Sequence, residues 1–451
     1  MSTLLKSTAG DFVDFKAAPI IQYVAVLALG VATFSRLLES ELGFPRAVNW
    51  VHFPIVCAAF AWSLLRIEKH AVPLFLGVIA LLLVFVTSAL VNGAAMINAC
   101  LGYMLLVEPF LLLAVVINTK PSEDLAGTVG AWVLGFALAQ IPIGLLQWPR
   151  AIVLHDPDYV QGSFRGMGPG AHVLGAISMT AAFYVVRSFP EWRAWWKALL
   201  AVLLFFLVVA SDSKQIVLGF CVCYLVFELC NIGTWKTAAR LAARVALLIA
   251  GTYLAFRLFD PRLFVQAAPT IVRDFARKFE VFPLITARFD SLAGWIFGLG
   301  PGHTVSRMGG WLIDHYWNLL QPLGATRTDL HNQIMNLPWV TRRTSSFFLP
   351  MFSWAGIFGD IGVAGILAYS GLLCVTYFRI CVDRLSRFLV VLIVVLGFVF
   401  DWLEEYNFML YVAAVIGQRW LAGAGAVAPA ETSIRPTGAP GQVCQSRPKS
   451  V

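Results

Sequence analysis

Two segments of this chain set glycines, arginines and a histidine at spacings that could hold an anion. Gly166-Met167-Gly168-Pro169-Gly170 runs into Ala171-His172 with Arg165 just before it, and Gly298-Leu299-Gly300-Pro301-Gly302 runs into His303 between Arg288 and Arg307. Alternating glycines let successive backbone N–H groups turn toward one point, and arginine adds a forked cationic donor suited to phosphate. Glycine and proline also build plain tight turns where helices begin. The arginines beside both turns bring the anion-binding reading level with that one. Lys214, in Ser211-Asp212-Ser213-Lys214 between two apolar stretches, needs a partner or a ligand because an unpaired ammonium near hydrocarbon is costly. Snorkelling to the interface with Asp212 as counter-ion serves equally well. Asp360 is one of few acids within an apolar segment; it could pair with an arginine or act as a base. Glu108 and Glu228 read as structural. His303, His315 and His331 lack the i, i+3 or i, i+4 spacing of a metal pair, so no metal site is expected. Trp295, Trp311, Trp317, Trp339 and Trp354 suit either sugar faces or a membrane interface.

The elements that must position these residues are membrane helices. Hydrophobic residues make up 59% of the 451, charged residues 13%, and mean hydropathy is +0.77, values outside the range of soluble domains. The net charge of +8 fits loops facing anionic lipid better than nucleic acid, and no nucleic-acid partner is expected. The eight cysteines sit in or near apolar segments or in the tail, with neither disulfide nor zinc spacing. The N-terminus lacks an apolar core followed by a cleavage site, so the first apolar segment is expected to stay as an anchor. The expected fold is all-α, a polytopic integral membrane protein of about 12 spans. They fall near 19–35, 48–65, 72–91, 96–117, 126–146, 171–187, 198–211, 215–230, 242–259, 351–378, 388–402 and 407–421. Lys and Arg concentrate in alternate loops when the N-terminus (1–18) is cytoplasmic, which puts the polar island 260–350 outside and the tail 422–451 inside and disordered. Segments 19–259 and 351–421 carry spans 1–9 and 10–12.

The order of features resembles the O-antigen ligase and Wzy-type polysaccharide polymerase superfamily over about Gly162 to Tyr369. An Arg-Gly-rich external loop precedes a middle span, and a Ser-x-Ser-Lys turn follows at Ser211 to Lys214. A large external loop then opens with Arg288 and Gly298 to Gly302. A Ser-rich stretch, Thr344-Ser345-Ser346, leads into a span carrying Gly359-Asp360-Ile361-Gly362 and Gly365. The resemblance implies a metal-independent, cofactor-free glycosyltransferase of the bacterial inner membrane. Such an enzyme takes glycan from an undecaprenyl-diphosphate carrier on the periplasmic side. Chain-length regulators or export proteins would be its partners. Arg165, Lys214 and Arg288, with Arg307, become diphosphate contacts, supported by the backbone of Gly166, Gly168, Gly170, Gly298, Gly300 and Gly302. The proton acceptor is one of His303, His331 and Asp360.

A lipid diphosphate is a good leaving group, so charge neutralisation, orientation of a hydroxyl and one base suffice for transfer. His331-Asn332 is similar to the pair of the ligases, yet it lies far from the next span with Thr341-Arg342-Arg343-Thr344-Ser345-Ser346 between. That departure favours an exopolysaccharide or O-antigen polymerase over a ligase that adds glycan to lipid A core. A lipid-linked glycan flippase or transporter is the other alternative.

Overall fold

The structure, a computed structural model, describes residues 17–427 except 121, 167–168, 190, 230–238, 245, 248–249, 252, 255–272, 274 and 342–347. The described residues contain helices and turns and no strand. Eight helices come first: α1 (Ala17–Leu42), α2 (His52–Ser63), α3 (Val72–Asn92), α4 (Met96–Ile117), α5 (Glu123–Leu154), α6 (Gly170–Ser188), α7 (Ala194–Ala210) and α8 (Lys214–Leu229). The polar island folds into short pieces, α9 (Val281–Thr286), α10 (Leu292–Phe297) and α11 (Leu330–Met335), with a π turn at Met308–Leu312. Three more helices close the chain, α12 (Ser353–Val375), α13 (Arg384–Leu396) and α14 (Tyr406–Val427).

Each expected span except the ninth, half of which lies outside the described residues, coincides with a helix. Five stretches are long and apolar enough to cross a membrane: Gln22–Leu42, Val72–Asn92, Met96–Ile117, Glu123–Leu154 and Ser353–Ile380. At 12 and 13 residues, α2 and α13 rise only about 20 Å, less than the ~30 Å of a bilayer core. Local signals set the ends. Ser122 caps α5 by accepting the Leu125 N–H, with Glu123 and Asp124 in the first turn, where negative charge meets the positive end of the helix. Asp383 and Ser386 form a reciprocal cap on α13. α14 continues to Val427, past the expected end of its span, and the remaining tail lies outside the described residues.

α4 and α14 are enclosed on nearly all sides, whereas α3 turns Leu76, Leu83 and Leu90 outward. Helices apolar all round suit the centre of a bundle, and exposed leucines in such number suit lipid. At one end of the bundle His70 meets the Ile117 carbonyl, Arg384 pairs with Glu228 and Arg419 with Asp383. The island closes the other end and dips into it. Val305, Met308, Leu312 and Ile313 are buried, and Met308 fills the space left by Gly102 on α4, where an added Cβ would stand 3.2 Å from its sulfur.

Candidate functional site

The second glycine turn receives an anion, and the anion is the chain's own Asp360. α12 breaks at Gly362 (φ 66°, ψ −162°), so the carbonyls of the turn before it lose their i+4 donors. The glycine loop supplies replacements. Leu299 N–H donates to the Gly359 carbonyl at 2.8 Å and Gly300 N–H to that of Asp360 at 3.1 Å. Ser88 Oγ on α3 donates to both the Phe297 and Asp360 carbonyls. Gly298, Gly300 and Gly302 all have positive φ (74°, 106° and 73°), and an added Cβ on Gly298 would lie 2.6 Å from the Ile361 nitrogen. The loop then wraps the buried carboxylate. One oxygen accepts the Gly302 N–H (2.8 Å) and Ser306 Oγ (2.6 Å), the other the Thr304 N–H (2.9 Å) and Thr304 Oγ1 (2.6 Å). Four donors on two oxygens leave Asp360 no site for a substrate hydroxyl.

His303 is similarly occupied. Its Nδ1 lies 2.9 Å from the Leu299 carbonyl, which can only accept, so Nδ1 carries the proton and Nε2 takes the Thr326 hydroxyl at 2.8 Å. Asn98 on α4 ties the same region down, donating to the Pro301 and Thr326 carbonyls. His331 differs: it is buried on α11, packed against Gly310, and its Nδ1 has no hydrogen-bond partner. Burial pushes this imidazole below its ordinary range, against the pull of Asp314, which keeps it neutral at pH 7. Of the three candidate bases it alone has an uncommitted ring nitrogen.

The cations fall into three groups. Arg165 pairs with Glu41, donates to the Tyr159 hydroxyl at 2.7 Å and lies 4.9 Å above the Tyr159 ring. Lys214 pairs with Asp212 at 2.8 Å. These two share one region: Ser213 Oγ donates to the Ala171 carbonyl in the first turn of α6 at 3.0 Å, and Gly175 leaves the space that Ser213 fills. The start of α6, at Gly170, has no side-chain cap. Gly166 (φ 83°) donates its N–H to Gln161, and Gly168 lies outside the described residues. Arg288 forms the second group, exposed and donating to Gln333 on α11 at 2.6 Å.

Arg307 forms the third and is fully buried, so it does not join the exposed cations. It pairs with Glu405 and stands 4.0 Å from Asp401, and its backbone N–H donates to Glu404 at 2.6 Å. Burial opposes its charge, but Glu405 and Asp401 outweigh burial and raise its already high pKa. Lys278, also buried, donates to the Val399 carbonyl beside Asp401. Burial lifts Glu404 well above the carboxylate range. Tyr406 extends this network to Arg36 and stacks on His52, 4.4 Å away, which bonds Glu108 at 2.6 Å. The sequence reading did not single out this cluster. Its signal is Asp401-Trp402-Leu403-Glu404-Glu405 between two apolar segments, since acids clustered among apolar helices need buried cations or donors from elsewhere. Comparison with known proteins finds no family model and no curated sequence that matches the chain.

Proposed function

We propose that this chain is a glycosyltransferase of the bacterial inner membrane that polymerises undecaprenyl-diphosphate-linked glycan repeat units at the periplasmic face. In this reading the bundle has twelve spans with both termini cytoplasmic, and segment 260–350 faces the periplasm. The observation that carries it is the docking of the Ser211 to Lys214 turn on the first turn of α6, with Arg165 in the loop just before. Uncapped helical N–H groups, an ammonium and a guanidinium then face one region, and each cation pairs with a partly exposed carboxylate, Asp212 or Glu41. A diphosphate replaces those carboxylates without stranding a buried charge. Of the three candidates His331 is left to take the proton from the acceptor hydroxyl; its unpartnered Nδ1 is buried against Gly310, so the acceptor must open that contact to reach it.

The test is product formation by purified protein in nanodiscs supplied with a lipid-linked repeat unit. Wild type yields a polymer ladder that survives chelator. Arg165→Ala with Lys214→Ala lowers the rate about 100-fold, the usual scale for removing charge stabilisation at a leaving group. Full activity in that double variant would sink the assignment. Glycan appearing on lipid A core in place of a ladder would turn the reading to a ligase.

A further inference from the structure

At the end of the bundle away from Asp360, a cavity of about 200 Å³ opens between α6, α8 and α13, lined by the aromatics Phe183, Tyr224, Phe227 and Phe388 and by Arg187, Arg384, Glu228 and Asp383. Its walls are an aromatic cluster: Phe183 stacks on Phe388 at 5.5 Å, and Phe227 meets Phe388 edge-on at 6.0 Å. Its mouth is cationic. Arg187 ends α6, is exposed, and makes no ion pair or hydrogen bond among the described residues. Arg384 is 59% exposed, pairs with Glu228 at 2.9 Å and lies 5.7 Å above the Phe227 ring. Both acids of the lining are engaged already. Asp383 accepts the Ser386 N–H at 2.8 Å and Arg419 Nε at 2.6 Å, and Glu228 holds Arg384. With Arg419 counted, guanidiniums outnumber carboxylates.

We propose that this cavity is a binding site for the headgroup of an anionic phospholipid. The phosphate bridges Arg187 and Arg384, and the glycerol lies against Tyr224 and Phe227. Each feature has a chemical reason. A phosphodiester offers oxygens to two guanidiniums at once. Arg384 exchanges a solvent-screened carboxylate for it at little cost. The acyl chains remain in hydrocarbon beside α8, whose Leu218, Val222 and Val226 are exposed. A zwitterionic lipid brings its own cation and gains less. The site lies at the opposite end of the bundle from Arg165 and Lys214 and does not depend on the proposed reaction.

Native mass spectrometry of the full chain tests it, after detergent delipidation and titration with phosphatidylglycerol, phosphatidylcholine or glycerol 3-phosphate. Wild type is expected to retain phosphatidylglycerol at least ~10-fold better than phosphatidylcholine, and Arg187→Gln with Arg384→Gln to lose that preference. Arg187→Gln alone touches no partner, so the fold is preserved, and it still weakens retention several-fold. Equal retention by wild type and both variants, or no preference between the two lipids, overturns the proposal. Glycerol 3-phosphate binding as tightly as phosphatidylglycerol also overturns it, by showing a soluble ligand's site.

Discussion

Replacing Asp360 separates a structural role from a catalytic one, because its hydrogen bonds make the outcome calculable. In Asp360→Ala two hydroxyls, Thr304 Oγ1 and Ser306 Oγ, can rotate toward other acceptors, but the Gly302 and Thr304 N–H groups are fixed by the backbone and remain buried. Each orphaned donor costs about 1–3 kcal/mol, so the pair costs about 2–6 kcal/mol. That penalty falls on the loop 298–306, to which the Asp360 carboxylate contributes four acceptor contacts. Hydrogen exchange read by mass spectrometry on peptides covering that loop should accelerate at least ~30-fold in Asp360→Ala, since ~1.4 kcal/mol is a factor of ten. Asp360→Asn keeps one acceptor oxygen and opposes the other pair with an amide, so it should show roughly half the loss in free energy. Exchange within twofold of wild type in Asp360→Ala would refute the reasoning. A base role adds a second signature: Asp360→Asn would lose turnover far beyond its loss of protection.

Two further outcomes follow from the same loops. Lys278, held by burial at about 7 against an ordinary 10.5, is neutral when folded over a range in which the unfolded lysine still binds a proton. Stability should therefore be flat below pH 7 and rise from pH 7 to about 10.5, by up to ~1.4 kcal/mol per unit and about 5 kcal/mol in all. At roughly 1 °C per kcal/mol for a chain of this length, the difference in Tm between wild type and Lys278→Met should change by several degrees across that range; parallel curves would sink the reasoning. The two glycine turns should respond unequally to alanine. Gly166→Ala has open space around it despite φ +83° and should cost about 1 kcal/mol of left-handed strain. Gly300→Ala adds to that strain a Cβ only 2.9 Å from both the Ala94 Cβ and His303 Nδ1, and should release the His303 contacts, seen as faster exchange at 298–306.

Most helices were legible because apolar runs bounded by charge fix them whatever they pack against. Ends were less so: α5 runs to Leu154, past its expected limit at 146, because Pro149 loses only one backbone donor within a long helix. The glycines spaced two apart in 298–302 read equally as an anion site and as a tight turn, and of their three N–H groups that of Gly302 reaches a carboxylate while those of Gly298 and Gly300 bond backbone carbonyls. The identity of that anion depends on Gly362, whose break in α12 frees the carbonyls that seat the loop on Asp360, and a glycine in an apolar run reads first as close helix packing. Arg307 shows the same limit from the other side. Beside a glycine turn it counts as a phosphate donor, but Glu405, 98 residues on, neutralises it inside the protein. An acidic run between apolar segments is thus evidence about distant partners, because a buried carboxylate needs either a cation, as Glu405 has in Arg307, or a set of hydrogen-bond donors, as Asp360 has in the glycine loop. By that criterion Arg165 and Lys214, paired with the partly exposed Glu41 and Asp212, and the exposed Arg288 are less committed to the interior than Arg307.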